Sequence, residues 1–249
     1  MKKRLFTFGC SHTHHIWPSW ANILSLGFNE FYNFGAPGTG DFRILNQVMR
    51  ANEHFKFNNN DYIGIGLSCN FRYDIIKENP KNPKDREWMS LGSMLDDNYH
   101  TPKFQSQLTE SGGNENKLTI VKSIKEILNK KDNPKYKIFQ TFDMIEKSTE
   151  LLNELDSQKT LYDYSYSYGQ QNSYKIDGNW NGHYSIPVHL DLVKEQFSDW
   201  YDTKNDDVVL DWHNHMPKTI DSLSKKFNWL KYEQYYMIGT KLINPYSDV

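Results

Sequence analysis

Short apolar runs that end in glycine or in polar loops alternate with helical patterns through the first third of the chain. "RLFTFG" (4–9), "EFYNFG" (30–35) and "DYIGIGLS" (61–68) are typical of short strands. "PSWANILSLG" (18–27) and "DFRILNQVMRANEHF" (41–55) between them predict helices, the second with Phe42, Leu45, Val48 and Met49 on one face. This β-α-β-α-β order predicts a parallel sheet that is covered by helices on both faces.

The same pattern resumes after an irregular stretch. "LTIVKSIKEILNKK" (118–131) has helical spacing, "KYKIFQTF" (135–142) predicts a fourth strand, and "IEKSTELLNEL" (145–155) and "LDLVKEQFSDWY" (190–201) predict helices. "DDVVLDWHNHMP" (206–217) begins as a β-branched run and predicts a fifth strand, with a closing helix in 218–230. We expect one α/β domain over residues 1–249, a three-layer α/β/α sandwich with a mainly parallel five-stranded, flavodoxin-like sheet. Residues 77–116, rich in Asn, Asp, Pro and Gly, are interpreted as an inserted excursion with a short helix at Trp88–Leu95.

Composition narrows the classes of partner. The chain has 29 Lys and Arg against 31 Asp and Glu, so no overall field favours nucleic acid or an anionic membrane. Two cysteines, Cys10 and Cys69, form neither a disulfide framework nor a CxxC motif. The initial apolar run is shorter than the core of a secretory signal. We therefore expect a cytoplasmic protein that binds neither nucleic acid nor membrane; the sequence does not indicate an oligomeric state.

Polar residues of types that take part in catalysis and ligand binding follow the predicted strands. They are Ser11 in "CSHTHH", the loop "NFGAPGTGD" (33–41), "SCNFR" (68–72) and "DWHNH" (211–215). Ligands of open parallel sheets bind at the carboxyl ends of the strands, where these four segments would meet. A serine there needs an imidazole to accept its proton, a carboxylate to orient that imidazole, and N–H donors for the oxyanion. Asp211 and His213 offer the carboxylate and imidazole from one loop, and Gly38 with Ser68 or Asn70 offers donors.

These segments resemble the conserved blocks of the SGNH, or GDSL-type, hydrolases. "FGCSHT" with "WPSWANIL" resembles the first block, and "NFGAPGTGD" resembles the second, whose oxyanion glycine matches Gly38. "DWH" resembles the last block and matches Asp211 and His213. The resemblance implies esterase chemistry without metal or organic cofactor, with Ser11 as nucleophile, His213 as base and Asp211 as its orienting acid. It also implies a small O-acyl ester, on a carbohydrate or another small molecule, as substrate.

Two blocks depart from the family pattern. The third block usually contains G-x-N-D, whereas this strand ends in "GLSCNFR", so either Ser68 or Asn70 can supply the side-chain donor. A divergent branch has W-S/T-x-x-x-R here, which Ser68 and Arg72 match without the Trp. In the last block, Pro is delayed to position 217, which leaves His215 as a substitute base.

Two other functions use the same residues. D-x-H-x-H and the H-x-H of His12 and His14 can begin a divalent metal site, with Asp41 and Asp74 as further ligands, in a metal-dependent hydrolase. A noncatalytic carbohydrate-binding module would use the tyrosine-rich strip at 162–184. In the serine hydrolase interpretation, His12, His14 and His15 are expected to be exposed turn residues without a shared task; the alternative is that they line the substrate entrance.

Overall fold

In the part of the chain that the structure describes, four parallel strands form the central sheet. The structure, a computed structural model, describes residues 2–15, 17–70, 72–79, 82–91, 110–130, 133–142, 148–176 and 179–224. In chain order the strands are β1 (Arg4–Gly9), β2 (Glu30–Asn33), β3 (Asp61–Leu67), β4 (Tyr73–Asn79), β5 (Asn82–Leu91), β6 (Lys135–Gln140), β7 (Ser173–Ile176) and β8 (Asn179–Tyr184). The sheet order is β2-β1-β3-β6, and each neighbouring pair is parallel, as the β-α-β-α-β pattern predicted.

Helices cover both faces of this sheet. They are α1 (Trp20–Ser25), α2 (Asp41–Phe55), α3 (Glu110–Leu128), α4 (Thr149–Glu154), α5 (Leu161–Ser165), α6 (Ile186–Gln196) and α7 (Asp206–Ser224), with 3-10 turns at Tyr166–Asn172 and Thr203–Asn205. The predicted α/β/α class is confirmed, and the strand order agrees with a flavodoxin-like sheet. Among the described residues, no helix combines the length and the apolar character that crossing a membrane requires.

The alternation of β1 separates two hydrophobic cores. Leu5 packs with α1, α6 and α7, whereas Phe6 and Phe8 pack on the opposite face with α2 and α3. Because successive strand side chains point to opposite faces, one short strand contributes to both layers. The two cores hold the sheet between the helical layers and fix the position of its carboxyl edge.

The predicted fifth strand is wrong. Residues 206–217 belong to α7, which begins with two aspartates in its first turn, where negative charge stabilises a helix. The run "VVL" suggested a strand, but Val208 and Leu210 are exposed and only Val209 packs inside, together with Met216 and Ile220 further along the helix. This spacing of the buried side chains has the period of a helix.

Two further expectations need correction. The short helix predicted at 88–95 is not formed over its first part, since Trp88 to Leu91 lie in β5, which pairs with β4 as an antiparallel hairpin; 92–109 lie outside the described residues. In α2 the buried face is formed by Ile44, Val48 and Ala51. Phe42 and Met49, expected inside, are exposed.

Candidate active site

Ser11 lies in a tight turn at the carboxyl end of β1, one of the two inner strands of the sheet. The amide N–H groups of Thr13 and His14 donate to the carbonyl of Cys10, at 2.9 and 3.3 Å. The carbonyl of Thr13 accepts from Ser19 Oγ at 2.6 Å and from Asn33 Nδ2 at 3.1 Å. These bonds hold the backbone on both sides of Ser11 and so fix the position of this residue.

A glycine makes this turn sterically feasible. Gly9 has φ of +154°, and a Cβ there would collide with Thr13 Oγ1 and lie 2.7 Å from the carbonyl oxygen of Gly66. The chain can therefore fold back over the end of β1 only without a side chain at this position.

Ser11 keeps its reactive groups uncommitted. Its side chain is 5% exposed. Within the part of the chain that the structure describes, neither its hydroxyl nor its amide N–H forms a hydrogen bond. A hydroxyl without a partner at this edge can act as a nucleophile if a base lies nearby.

Four histidines, His12, His15, His183 and His189, form a group beside this turn, here called the histidine cluster; His12, His15 and His189 are buried and His183 is half-buried. The His183 ring lies 3.8 Å from the His15 ring and 5.0 Å from the His12 ring, measured between centroids. His15 also stacks on Trp17 at 4.3 Å. The expectation that His12, His14 and His15 are exposed turn residues is wrong, because all three are at most 8% exposed.

Burial determines the charge state of the cluster. It lowers the pKa of His12 and His15 well below the ordinary value, and lowers the pKa of His183 and His189 to about 3. The positive charge of Arg72 acts in the same direction on His183. Among the described residues, no carboxylate contributes to these shifts. The cluster is therefore neutral near pH 7, and burial disfavours its protonated form.

The loop after β2 supplies a second unengaged amide. Gly38 has φ of +68°, a conformation that favours glycine. Among the described residues its N–H has no acceptor. Gly38 and Ser11 thus both offer a backbone N–H in loops that follow adjacent strands.

Hydrogen bonds tie the loop after β3 to the loop after β2. The Ser68 amide donates to Asp41 Oδ1 at 2.6 Å, and Arg72 Nη1 donates to the Thr39 carbonyl at 3.4 Å and to Ser68 Oγ at 2.9 Å. The Asp74 carboxylate accepts from the Gly40 amide at 2.9 Å. The segment from Ser68 to Asp74 therefore holds the Gly38 loop in place.

Both predicted side-chain donors of this loop are engaged elsewhere. Ser68 is fully buried, and its Oγ accepts from Arg72 Nη1 at 2.9 Å. Asn70 Nδ2 donates to Asn114 Oδ1 at 2.6 Å. The polar group of this loop that lies beside the histidine cluster is Arg72, whose guanidinium stacks on Phe142 at 5.3 Å while His12 contacts the same ring at 4.8 Å.

The predicted Asp–His pair is not formed as expected. Asp211 and His213 are two residues apart on α7, about 200° around the helix from each other, so they do not extend from one loop to one point. His213 Nδ1 pairs with the Tyr174 hydroxyl at 2.8 Å. Asp211 Oδ1 lies 3.2 Å from His215 Nδ1, and both of these side chains are largely exposed. The structure offers no contact between Asp211 and His213.

The residues expected to bind a metal also have other partners. Asp41 pairs with Lys117 at 3.2 Å, and Asp74 accepts from two backbone amides at the start of α2. The segments that the structure describes contain no group of three His, Cys, Asp or Glu side chains placed to hold a metal ion.

The tyrosine-rich strip mostly serves the core. Tyr164, Tyr174 and Tyr184 are buried, and Tyr168 donates to Asp191 at 2.7 Å, whereas Tyr166 is exposed. The packed tyrosines are not available for stacking on a sugar, and the side chains of residues 175–182 lie outside those that the structure describes.

Sequence reasoning missed His183 and Lys117. His183 ends "NGH" (181–183) directly before α6, an N-x-H followed by a helix, where the prediction used the D-x-H at 211–213. Lys117 had no sequence signal beyond a charged residue beside a helical face.

Comparisons with known proteins assign no family to this chain. No family model matches the chain, and no curated protein matches it. A crystal structure of protein YxiM from Bacillus subtilis is similar, with a TM-score of 0.43 and 13% identity over 79% of this chain. The matched region spans 57% of the length of the YxiM chain.

Proposed function

We propose that this chain is a serine esterase that hydrolyses a small O-acyl ester, with Ser11 as nucleophile and His183 as general base. The observation that carries the proposal is the unpartnered hydroxyl and amide of Ser11, held at the carboxyl edge of the sheet beside a neutral histidine cluster. The resemblance of "FGCSHT" and "NFGAPGTGD" to SGNH blocks supports the same chemistry. A carbohydrate as the alcohol part rests on that resemblance alone.

The proposed reaction has two steps. Ser11 Oγ attacks the ester carbonyl carbon while His183 takes the hydroxyl proton, and the Ser11 and Gly38 amides stabilise the oxyanion. Collapse of the intermediate breaks the bond to the alcohol oxygen, which receives the proton from His183. Water then hydrolyses the acyl-enzyme by the same route and regenerates the Ser11 hydroxyl.

His183 replaces His213 in this proposal because of its neighbours. His183 contacts His12, which follows Ser11 directly, whereas His213 is connected to the turn through Tyr174, Trp17 and His15. The position two residues before His183 is Asn181, so the proposed base does not belong to a D-x-H pair, and Asp211 has no role in this proposal.

A labelling experiment tests the nucleophile. The wild-type protein should hydrolyse 4-nitrophenyl acetate and react with a fluorophosphonate probe, and Ser11→Ala should lose both, with a fall in kcat of about 1,000-fold or more. Ser198→Ala, at an exposed serine, is the matched control. Activity that survives Ser11→Ala but disappears with EDTA would contradict the proposal and favour a metal-dependent hydrolase.

A further inference from the structure

Arg72 is a cation without an anionic partner. Within the described residues its guanidinium forms no ion pair, and its hydrogen bonds, both from Nη1, go to the neutral oxygens of Thr39 and Ser68. Neither Nε nor Nη2 has an acceptor in this part of the chain. The edge of the guanidinium that carries Nε and Nη2 has two parallel N–H groups, an arrangement that matches the two oxygens of a carboxylate, and Nε is buried.

Arg72 also lines a cavity of about 510 Å³ between α2 and α3. Part of its wall is apolar, formed by Phe42, Leu45 and Ile120. A volume of this size accommodates a small organic ligand. The cavity therefore combines apolar surface with one guanidinium that also borders the histidine cluster.

The other charged residues at this cavity have partners of their own. Asp41 and Lys117 pair with each other at 3.2 Å. Asp74 accepts from the Gly40 and Arg43 amides at 2.9 and 2.7 Å, at the N-terminus of α2, whose dipole favours a negative charge. Among the described lining residues, Arg72 is therefore the cation whose N–H donors lack acceptors, and a carboxylate is an acceptor that matches them.

We infer that Arg72 binds a carboxylate on the substrate, so that the preferred ester carries a negative charge and places its remaining body in the cavity between α2 and α3. Calling this ligand the substrate rests on the proposed function, whereas the anion site itself does not. An anion on Arg72 would also offset the charge that lowers the pKa of His183, and would make His183 a stronger base when the charged substrate is bound.

A binding measurement tests the site without requiring hydrolysis. Benzoate and benzamide are nearly isosteric and differ in charge, so their dissociation constants can be compared by isothermal titration calorimetry. Wild-type protein should bind benzoate at least about tenfold more tightly than benzamide, as expected for a charge-assisted hydrogen-bonded pair. Arg72→Gln should abolish this preference, and Arg72→Lys, which keeps the charge without the fork, should retain only part of it. Arg50→Gln, at an exposed arginine of α2, is the matched control and should retain it in full.

The other outcomes overturn the inference. Equal affinity for the two ligands, no measurable benzoate binding, or a preference that survives Arg72→Gln would each contradict an anion site at Arg72. Tighter binding of phenyl phosphate than of benzoate would contradict the carboxylate assignment. Selective benzoate binding in a protein that hydrolyses no ester would leave the anion site intact and contradict only the proposed function.

Discussion

Lys117 Nζ lies 3.2 Å from Asp41 Oδ2, and both side chains are almost completely buried. The two residues also hold Ser68 from both sides, since Asp41 accepts from its amide and Lys117 donates to its carbonyl. Burial raises the pKa of Asp41, and the charge of Lys117 counteracts that rise. The pair therefore fixes the loop that carries Arg72 against the loop that carries Gly38.

Removing one member of this pair should be costly. Lys117→Met leaves the Asp41 carboxylate buried without its cation, and we expect the free energy of unfolding to fall by about 3–5 kcal/mol. Urea denaturation followed by tryptophan fluorescence measures the change. Lys122→Met on the same helix, at an exposed lysine paired with Glu150, is the control and should leave the midpoint unchanged.

The double variant separates charge from packing. Asp41→Leu combined with Lys117→Met replaces both charges by apolar groups and should recover much of the loss. A Lys117→Met protein as stable as the wild type would show that the pair does not hold these loops.

The sequence predicted the sheet well because its signal is local. Strands β1, β2 and β3 lie within short apolar runs that each end in glycine or serine, and the helices between them have clear periodicity. The turn at Ser11 was predictable for the same reason. The fold class follows from such alternation without knowledge of any long-range contact.

The partners of Ser11 could not be predicted in the same way. His183 is 172 residues away in sequence and comes to the turn through packing against His12 and His15. The burial of His12 also depends on a residue distant in sequence, because Tyr184 stacks on its ring. At α7, a β-branched run suggested a strand. The helical spacing becomes clear only when Val209, Met216 and Ile220 are seen to pack in the same core.

The histidine cluster should make stability depend on pH. In the folded protein His183 and His189 have pKa values of about 3, against 6.5 in a solvated histidine. As pH falls below 6.5 the unfolded chain takes up protons that the folded protein excludes, so stability is lost progressively down to about pH 3. Each such histidine contributes a slope of up to about 1.4 kcal/mol per pH unit in this window.

Urea midpoints between pH 4 and 7 test this slope. His189→Gln should reduce the slope, whereas His54→Gln, at an exposed histidine of α2, should leave it as it is in the wild type. An unchanged slope in His189→Gln would show that His189 does not exclude protons in the folded state.

The lowered pKa of His183 also predicts how kcat/KM depends on pH below neutrality. A general base must be neutral, and His183 with a pKa of about 3 stays neutral well below the usual histidine range. We expect kcat/KM for a neutral ester to show no inflection near pH 6.5 that depends on His183. A bell-shaped profile with an acid limb centred near 6.5 would contradict this charge state.

Replacing Gly38 should lower both the stability of the protein and its kcat. Its φ of +68° costs a residue with a side chain about 1–2 kcal/mol, and strain there displaces the N–H proposed to hold the oxyanion. Gly38→Ala should lower stability by that amount and kcat by about tenfold or more. Gly27→Ala is the control, because a Cβ there meets only ordinary contacts, the nearest at 3.5 Å. Equal kcat for Gly38→Ala and the wild type would remove Gly38 from the proposed oxyanion site.

The most direct test of the account compares three histidines in one assay. Ester hydrolysis is measured for His183→Gln, His213→Gln and His215→Gln, with the Tm of each variant recorded to confirm folding. The account predicts that His183→Gln lowers kcat by about 1,000-fold or more, while the two substitutions on α7 leave it within about threefold. Full activity in His183→Gln, with loss in His213→Gln or His215→Gln, would contradict His183 as the base for Ser11.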